Sequence, residues 1–273
     1  MTIKIFALLG LLNLSLIASA QLEQTYEHVG EYGVSVGLGH YFGDLNPNAA
    51  INHPKFAAGI FYLKQLNNYI SIKAAGNYTF LGYSDAYSKD ASLRIRNLSF
   101  NTDVWEVSVS GNFNFFKFYP QIPEYRFTPY LSVGIGAINY NPYTYLNGNP
   151  NKYYLRTFKT EGETTPYSPY ALVVPVGFGL KYNLTDNVNI FGELLYRFTS
   201  TGYLDDVYGT YAGSDAFKTS TEAAQLLQDR SYIYGVSHKA GSQRGNGKTD
   251  SYATLQIGVS INLDANGYRC PTY

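Results

Sequence analysis

The chain has 273 residues, with 20 Lys and Arg against 20 Asp and Glu, 28 Tyr, 16 Phe, 26 Gly and one Cys. Its formal net charge is zero, so nothing draws it electrostatically to nucleic acid or to anionic lipid. Charged residues make up 15%, against about 25% in ordinary soluble domains, while aromatics reach 16%, which is not the balance of a water-facing surface.

Residues 5–20, IFALLGLLNLSLIASA, form an apolar run behind Lys4 that ends in Ala18-Ser19-Ala20, the pattern of a signal peptide over 1–20 cut before Gln21. No later segment approaches the roughly 18 apolar residues that a membrane-spanning helix needs. A periplasmic N-terminal segment is expected at 21–30. Beyond it the hydrophobic pattern has period 2 and predicts eight strands, near 31–40, 55–65, 69–83, 102–116, 127–139, 170–183, 188–200 and 250–263. Most are long enough for the roughly 9–11 residues with which a tilted strand crosses a bilayer.

Val34, Val36 and Leu38 alternate with glycines and Ser35. Trp105, Val107, Val109, Phe113 and Phe115 alternate with Glu106, Ser108, Ser110, Asn112 and Asn114. Val174 to Leu180 and Leu255 to Ile261 repeat the pattern. In a soluble sandwich the second face would meet water and carry large charged side chains. Here it is small and hydrogen-bonding, which suits the narrow interior of a closed barrel whose apolar face meets lipid. Connection lengths agree. Short links around Asn67-Asn68, Pro120–Arg126 and Thr185–Asn187 alternate with long ones at 41–54, 84–101, 140–169 and 201–249. An exported N-terminus then places the short turns in the periplasm and the long loops outside. The expectation is an all-β fold: an eight-stranded antiparallel transmembrane β-barrel spanning 31–263, multi-pass in the cell outer membrane, with outer-membrane lipids as its neighbours and a periplasmic tail at 264–273.

Tyr32, Tyr41, Tyr62, Tyr69, Tyr83, Trp105, Tyr130, Tyr140 and Tyr182 fall near strand ends and are expected to form two interfacial girdles. In the last loop, Thr219 and Glu222 have capping-box spacing ahead of Ala223, Ala224, Leu226 and Leu227, which predicts a short helix.

Chemistry is sparse. His28, His40, His53 and His238 lack metal-ligand spacing, and no nucleophile elbow, phosphate loop or paired-Cys pattern occurs, so no catalytic residue, cofactor or metal is expected. His40, near the outer rim, is the one candidate for the His of a lipid-modifying barrel. By parity Lys73, Glu106, Lys181, Glu193 and Arg197 face inward. They are expected to form an ion-pair network that plugs the lumen, with Lys181 the expected partner of Glu193; a selectivity filter is the alternative. Asp44 and Asn46 in the first outer loop, and Asp205 and Asp206 in the last, are expected to pin their loops; calcium binding at the aspartate pair is the alternative. Cys270 has no intrachain partner in an oxidising compartment and is a candidate for an intermolecular disulfide.

Gly-His-Tyr-Phe-Gly-Asp-Leu-Asn-Pro at 39–47, Phe-Thr-Pro-Tyr-Leu-Ser-Val-Gly-Ile-Gly-Ala at 127–137 and Tyr-Leu-Asp-Asp-Val at 203–207 resemble the PorG-like outer-membrane barrels of Bacteroidota. The resemblance extends over essentially the whole mature chain, including Cys270-Pro271. It implies a part in the type IX protein secretion system: a structural, non-enzymatic anchor that ties the periplasmic ring of a PorK-like lipoprotein and a PorN-like protein to the outer membrane. Candidate contacts are then 21–30, the short turns and 264–273, and the partner of Cys270 would be the PorK-like lipoprotein. A stand-alone structural or adhesive barrel, and a narrow pore or lipid-modifying enzyme, stay open beside this reading.

Overall fold

Period-2 alternation resolves into eight long antiparallel strands: β1 (His28–Phe42), β2 (Lys55–Gln65), β3 (Ile70–Ser84), β4 (Ser99–Asn114), β5 (Phe127–Asn139), β6 (Tyr170–Thr185), β7 (Val188–Thr199) and β8 (Ser251–Asp264). The computed structural model describes residues 28–264 apart from 120–121, 147–148 and 186. The expected leader at 1–20, residues 21–27 and nearly all of the tail, Cys270 included, lie outside the described residues. Each strand pairs with its neighbours in sequence, and β1 pairs with β8, so the ladder closes into a barrel with no free edge. Closure gives the strands ladder partners on both sides, as a hydrocarbon surrounding demands, with one break between β5 and β6 at Gly134–Ile135 and Val174–Pro175, where the proline has no N–H to donate. β1 begins at His28, inside the expected periplasmic segment, because its ladder with β8 runs from His28–Asp264 to Phe42–Ser251.

The outward face is apolar. Val34, Val36, Val107, Val109, Phe178, Leu180, Leu255 and Ile257 are all exposed, a belt that water would not tolerate and lipid covers. This belt and the closed ladder place the protein in the outer membrane. Aromatic side chains rim the belt: Tyr78, Trp105 and Tyr170 lie toward the long-loop end, and Tyr32, Phe113, Phe127 and Tyr182 toward the other. Four of the expected girdle tyrosines are not in it. Tyr41, Tyr83, Tyr130 and Tyr140 are buried, because the first three share the parity of the inward set and Tyr140 packs under the outer loops.

Small residues on the inward face make room for large ones from neighbouring strands. A Cβ on Gly33 would sit 2.3 Å from the Phe61 ring, and one on Gly179 would sit 2.3 Å from the Tyr130 ring. The glycines therefore permit a filled interior rather than an open bore.

Three of the connections at the long-loop end carry helices, α1 (Ala91–Arg96), α2 (Leu155–Phe158) and α3 (Glu222–Gln228). The third is the expected one, but its cap is Thr221, whose Oγ1 accepts from Ala224 N at 3.3 Å, not Thr219. A two-residue ladder, Tyr143–Thr144 with Tyr153–Tyr154, extends the sheet above β4. Leu45, Leu81, Phe100, Tyr140, Leu204 and Leu227 join in one hydrophobic cluster that seats these loops on the barrel mouth. At the opposite end the β4–β5 connection, 115–126, is longer than a tight turn, and Phe118 within it is only 3% exposed.

Val109 lies outward, midway between Trp105 and Phe113. Val109→Arg is expected to cost about 2–4 kcal/mol in refolding into lipid, the penalty for a cation at mid-bilayer depth. Wild-type protein should migrate faster unheated than boiled on a detergent gel, because the closed ladder resists detergent. An unshifted band, or a neutral Val109→Arg, overturns the lipid-facing assignment.

Candidate functional site

The interior and the outer mouth hold the buried polar groups of the barrel. Inside, Lys73, Glu106, Lys181, Glu193 and Arg197 all lie in the lumen, none more than 7% exposed. Glu31 joins them at 0%, making three acids and three bases. Lys73 Nζ on β3 meets Glu193 Oε1 on β7 at 2.5 Å, and Arg197 Nε on β7 meets Glu106 Oε2 on β4 at 2.5 Å. Lys181 on β6 pairs with Glu31 on β1. Every pair joins strands at least three places apart around the barrel, so each one crosses the lumen.

Lys181 therefore does not pair with Glu193. The β6–β7 register sets Gly179 opposite Glu193 and Phe191 opposite Lys181, which leaves Lys181 one level nearer the periplasm, beside Glu31. There Glu31 Oε2 also accepts from Asn189 Nδ2 at 2.7 Å and Ser260 Oγ at 2.5 Å. Tyrosines complete the upper levels, Tyr130 Oη donating to Glu193 at 3.1 Å and Tyr252 Oη donating to Glu106 at 2.8 Å. Glu31 was missed in the sequence although it shares the parity of Gly33 and Ser35; carrying the alternation one step back finds it.

Phe118 folds against the periplasmic end of this column, its ring centroid 5.3 Å from Lys181 Nζ. Beside Lys73 and Glu193 a cavity of about 20 Å³ remains, room for about one water. The six lumen charges are thus paired with one another, with little space left beside them.

At the outer mouth two arginines, Arg96 half-buried and Arg244 buried, stitch the loops together. Arg96, closing α1, holds Asp85 through two nitrogens at 2.7 and 2.8 Å. It also donates to the Asp44 carbonyl at 3.0 Å and the Arg244 carbonyl at 2.7 Å. Arg244 in the last loop donates to Glu161 Oε1 of the third loop at 3.1 Å and to the Asp206 carbonyl at 2.5 Å. Neither arginine, nor Asp85 or Glu161, was predicted, because loop segments carry no periodicity from which a contact 148 residues away could be read.

The four expected loop residues take different posts. Asn46 donates to the Tyr41 carbonyl at 3.0 Å and accepts from Ala50 N at 2.9 Å, closing the first loop on itself. Asp44 Oδ1 accepts from Asn246 N at 3.0 Å, linking the first loop to the last. Asp206 accepts from Thr160 Oγ1 at 2.5 Å and Tyr167 Oη at 2.8 Å. Burial pushes its carboxyl up to about 7 against the pull of Arg244. Asp205 accepts instead from Tyr41 Oη at 2.5 Å, so the adjacent aspartates face different partners and do not converge on one ion. Among the described residues no group of three or more His, Cys, Asp or Glu is arranged to hold a metal. His40 Nε2 lies 2.7 Å from the Ala50 carbonyl, and His238 lies 3.1 Å from Asp229, far apart in the cap.

A sequence family described as a domain of unknown function (DUF6089) matches residues 11–237. No curated protein matches. Among solved structures, Neisserial surface protein A is 11% identical, covering 86% of this chain and 97% of its own, with a TM-score of 0.44. A major outer membrane protein of Thermus thermophilus is 9% identical over 86% of this chain and 100% of its own, with a TM-score of 0.41. Ail, the attachment invasion locus protein of Yersinia pestis, in complex with the heparin analogue sucrose octasulfate, is 12% identical over 86% and 99%, with a TM-score of 0.38.

The cross-lumen pairs are testable by a double-mutant cycle. Lys73→Met should cost about 3–5 kcal/mol by stranding Glu193, and Lys73→Met with Glu193→Gln should cost less than that single change. Additive losses in urea titrations of lipid-embedded protein would mean that the two charges are solvated and independent.

Proposed function

The chain belongs to the DUF6089 family, whose description assigns no role, and from that premise we propose that it is a non-enzymatic, non-conducting outer-membrane anchor for a periplasmic assembly. The observation that carries this reading is the filled lumen. Three ion pairs across it, Phe118 against one end and the stitched loops over the other support a barrel that works through its two end surfaces and not through a passage. The motifs at 39–47 and 203–207 support a finer assignment to the type IX secretion system, with the PorK-like lipoprotein and PorN-like ring protein as partners. Among the described residues on the periplasmic side the longest connection is 115–126, which presents exposed Phe116 and Tyr125. Because the acidic motifs are absorbed by the outer cap, this connection is the stronger candidate for ring contact.

A solitary structural or adhesive barrel is the second reading, favoured by the exposed Tyr232, Ile233 and Tyr234 on the outer cap. Crosslinking intact envelopes and purifying the barrel under denaturing conditions separates the two. The anchor should bring down the PorK-like and PorN-like proteins, and Phe116→Ser with Tyr125→Ser should cut their recovery at least about threefold without changing barrel abundance. Recovery of neither protein from wild-type envelopes would defeat the ring assignment, and steady single-channel conductance in planar bilayers would defeat the plug.

A further inference from the structure

The cap holds more buried acid than base, and the excess gathers at one place. Tyr41, at the outer end of β1, lies 2.5 Å from Asp205 Oδ2 and 3.0 Å from Asp250 Oδ1. A phenol owns one proton and can donate it to one of them. If both carboxylates were ionised, the second contact would set two acceptor oxygens against each other inside a buried site. Each carboxylate is also fixed from behind, Asp250 Oδ2 accepting from Leu204 N at 3.0 Å and Asp205 Oδ1 from Val207 N at 2.9 Å. Neither can turn away.

Among the described residues no cation makes a direct ion pair with either carboxylate; Arg96 acts on Asp205 only through space. Asp44 faces the pair from the first loop, and its Oδ2 is buried without a hydrogen-bond partner. Arg96, from α1, spends its guanidinium on Asp85 and on two carbonyls, and Arg244 spends its own on Glu161 and Asp206. Tyr140, just past the end of β5, is the remaining titratable group near Asp250, and it hydrogen-bonds Thr201. The main chain closes tightly over the site as well. A Cβ on Gly43 would sit 2.0 Å from Asp250 Oδ1 and 2.1 Å from Tyr41 Oη, so that position admits no side chain.

We propose that Tyr41, Asp205 and Asp250 form a proton-held latch, in which one carboxyl proton completes the three-oxygen contact that pins both ends of the last outer loop to β1. Asp205 follows β7 closely and Asp250 immediately precedes β8, so the latch closes the stem of the loop that runs from 200 to 250. When the proton leaves to solvent, two buried carboxylates and Asp44 repel one another and the stem opens, while the barrel below keeps its own ladder. Burial first, then the neighbouring carboxylates, push Asp205 and Asp250 above the ordinary range, and Asp44 is pushed up to about 6. The sign follows. A raised folded value means that the closed cap binds more protons than the open one, so closure is complete below about pH 4 and weakens as pH rises through the raised values.

The test is hydrogen exchange of the full-length protein in lipid nanodiscs at about pH 5 and about pH 9, corrected for the intrinsic base-catalysed rate and read on peptides from 201–212 and 240–250. Wild-type protein should show at least about a tenfold rise in opening of these peptides, with the strands unchanged and the band still heat-modifiable. Asp205→Asn, whose amide can donate to the Tyr41 oxygen, should reduce the rise to less than about threefold, and Asp250→Asn should do the same if the first variant fails to assemble. Asp215→Asn, on the surface of the same loop beside Lys218, should keep the wild-type rise. A flat wild-type profile, an undiminished rise in both latch variants, or loss of the rise in Asp215→Asn would overturn the latch.

Discussion

A barrel interior shut off from water has to hold its ionised groups in balance, and this neutrality is the constraint on which the rest of the structure depends. Glu31, Glu106 and Glu193 match Lys181, Arg197 and Lys73 one for one, each pair reaching across the bore. An isolated charge there would cost several kcal/mol. Pairing fixes long side chains in extended poses over the small residues of the opposite wall, and that is why glycine and serine recur on the inward face. The same arrangement lets the outer face remain apolar throughout, since the ionisable side chains of the strand centres have somewhere else to go.

The outer mouth solves its electrostatics differently. Arg96 pairs with Asp85 and Arg244 lies against Glu161 and Asp206, and both use spare N–H groups on backbone carbonyls, so Arg96 ties together segments of three loops and Arg244 segments of two. Among the described residues, the remaining acids around Tyr41 have no direct ion pair of this kind. The lumen is therefore balanced by fixed charge, whereas the cap is balanced in part by protons, and only the second balance can respond to the medium.

How much of this was legible in the sequence follows from the range of the interactions. Strand positions came within three residues of the observed ends because alternation is a local signal set by the pleat. The inward charges were found for the same reason. Their partners were not, because Lys181 and Glu31 are 150 residues apart and meet only when β1 and β6 are placed around a closed circle. Tyr41 and Tyr130 were misassigned to the girdles because tyrosine suits either environment, and parity, not residue type, decides which face it takes. Phe118 gave no sign of its inward position, since it falls in an aromatic connection punctuated by Pro120 and Pro123, where the alternation that assigns faces has stopped.

The stitched cap also determines what an outside observer of the cell could recognise. Arg96 reaches from the second loop to the carbonyls of Asp44 in the first and Arg244 in the last, and Glu161 of the third loop receives the N–H groups of Tyr208 and Gly209. The surface facing the environment is thus a mosaic of four chain segments held in one shape. An antibody or phage tail fibre reading it would grip a discontinuous epitope, and a synthetic peptide copied from any single loop would present the residues without the shape.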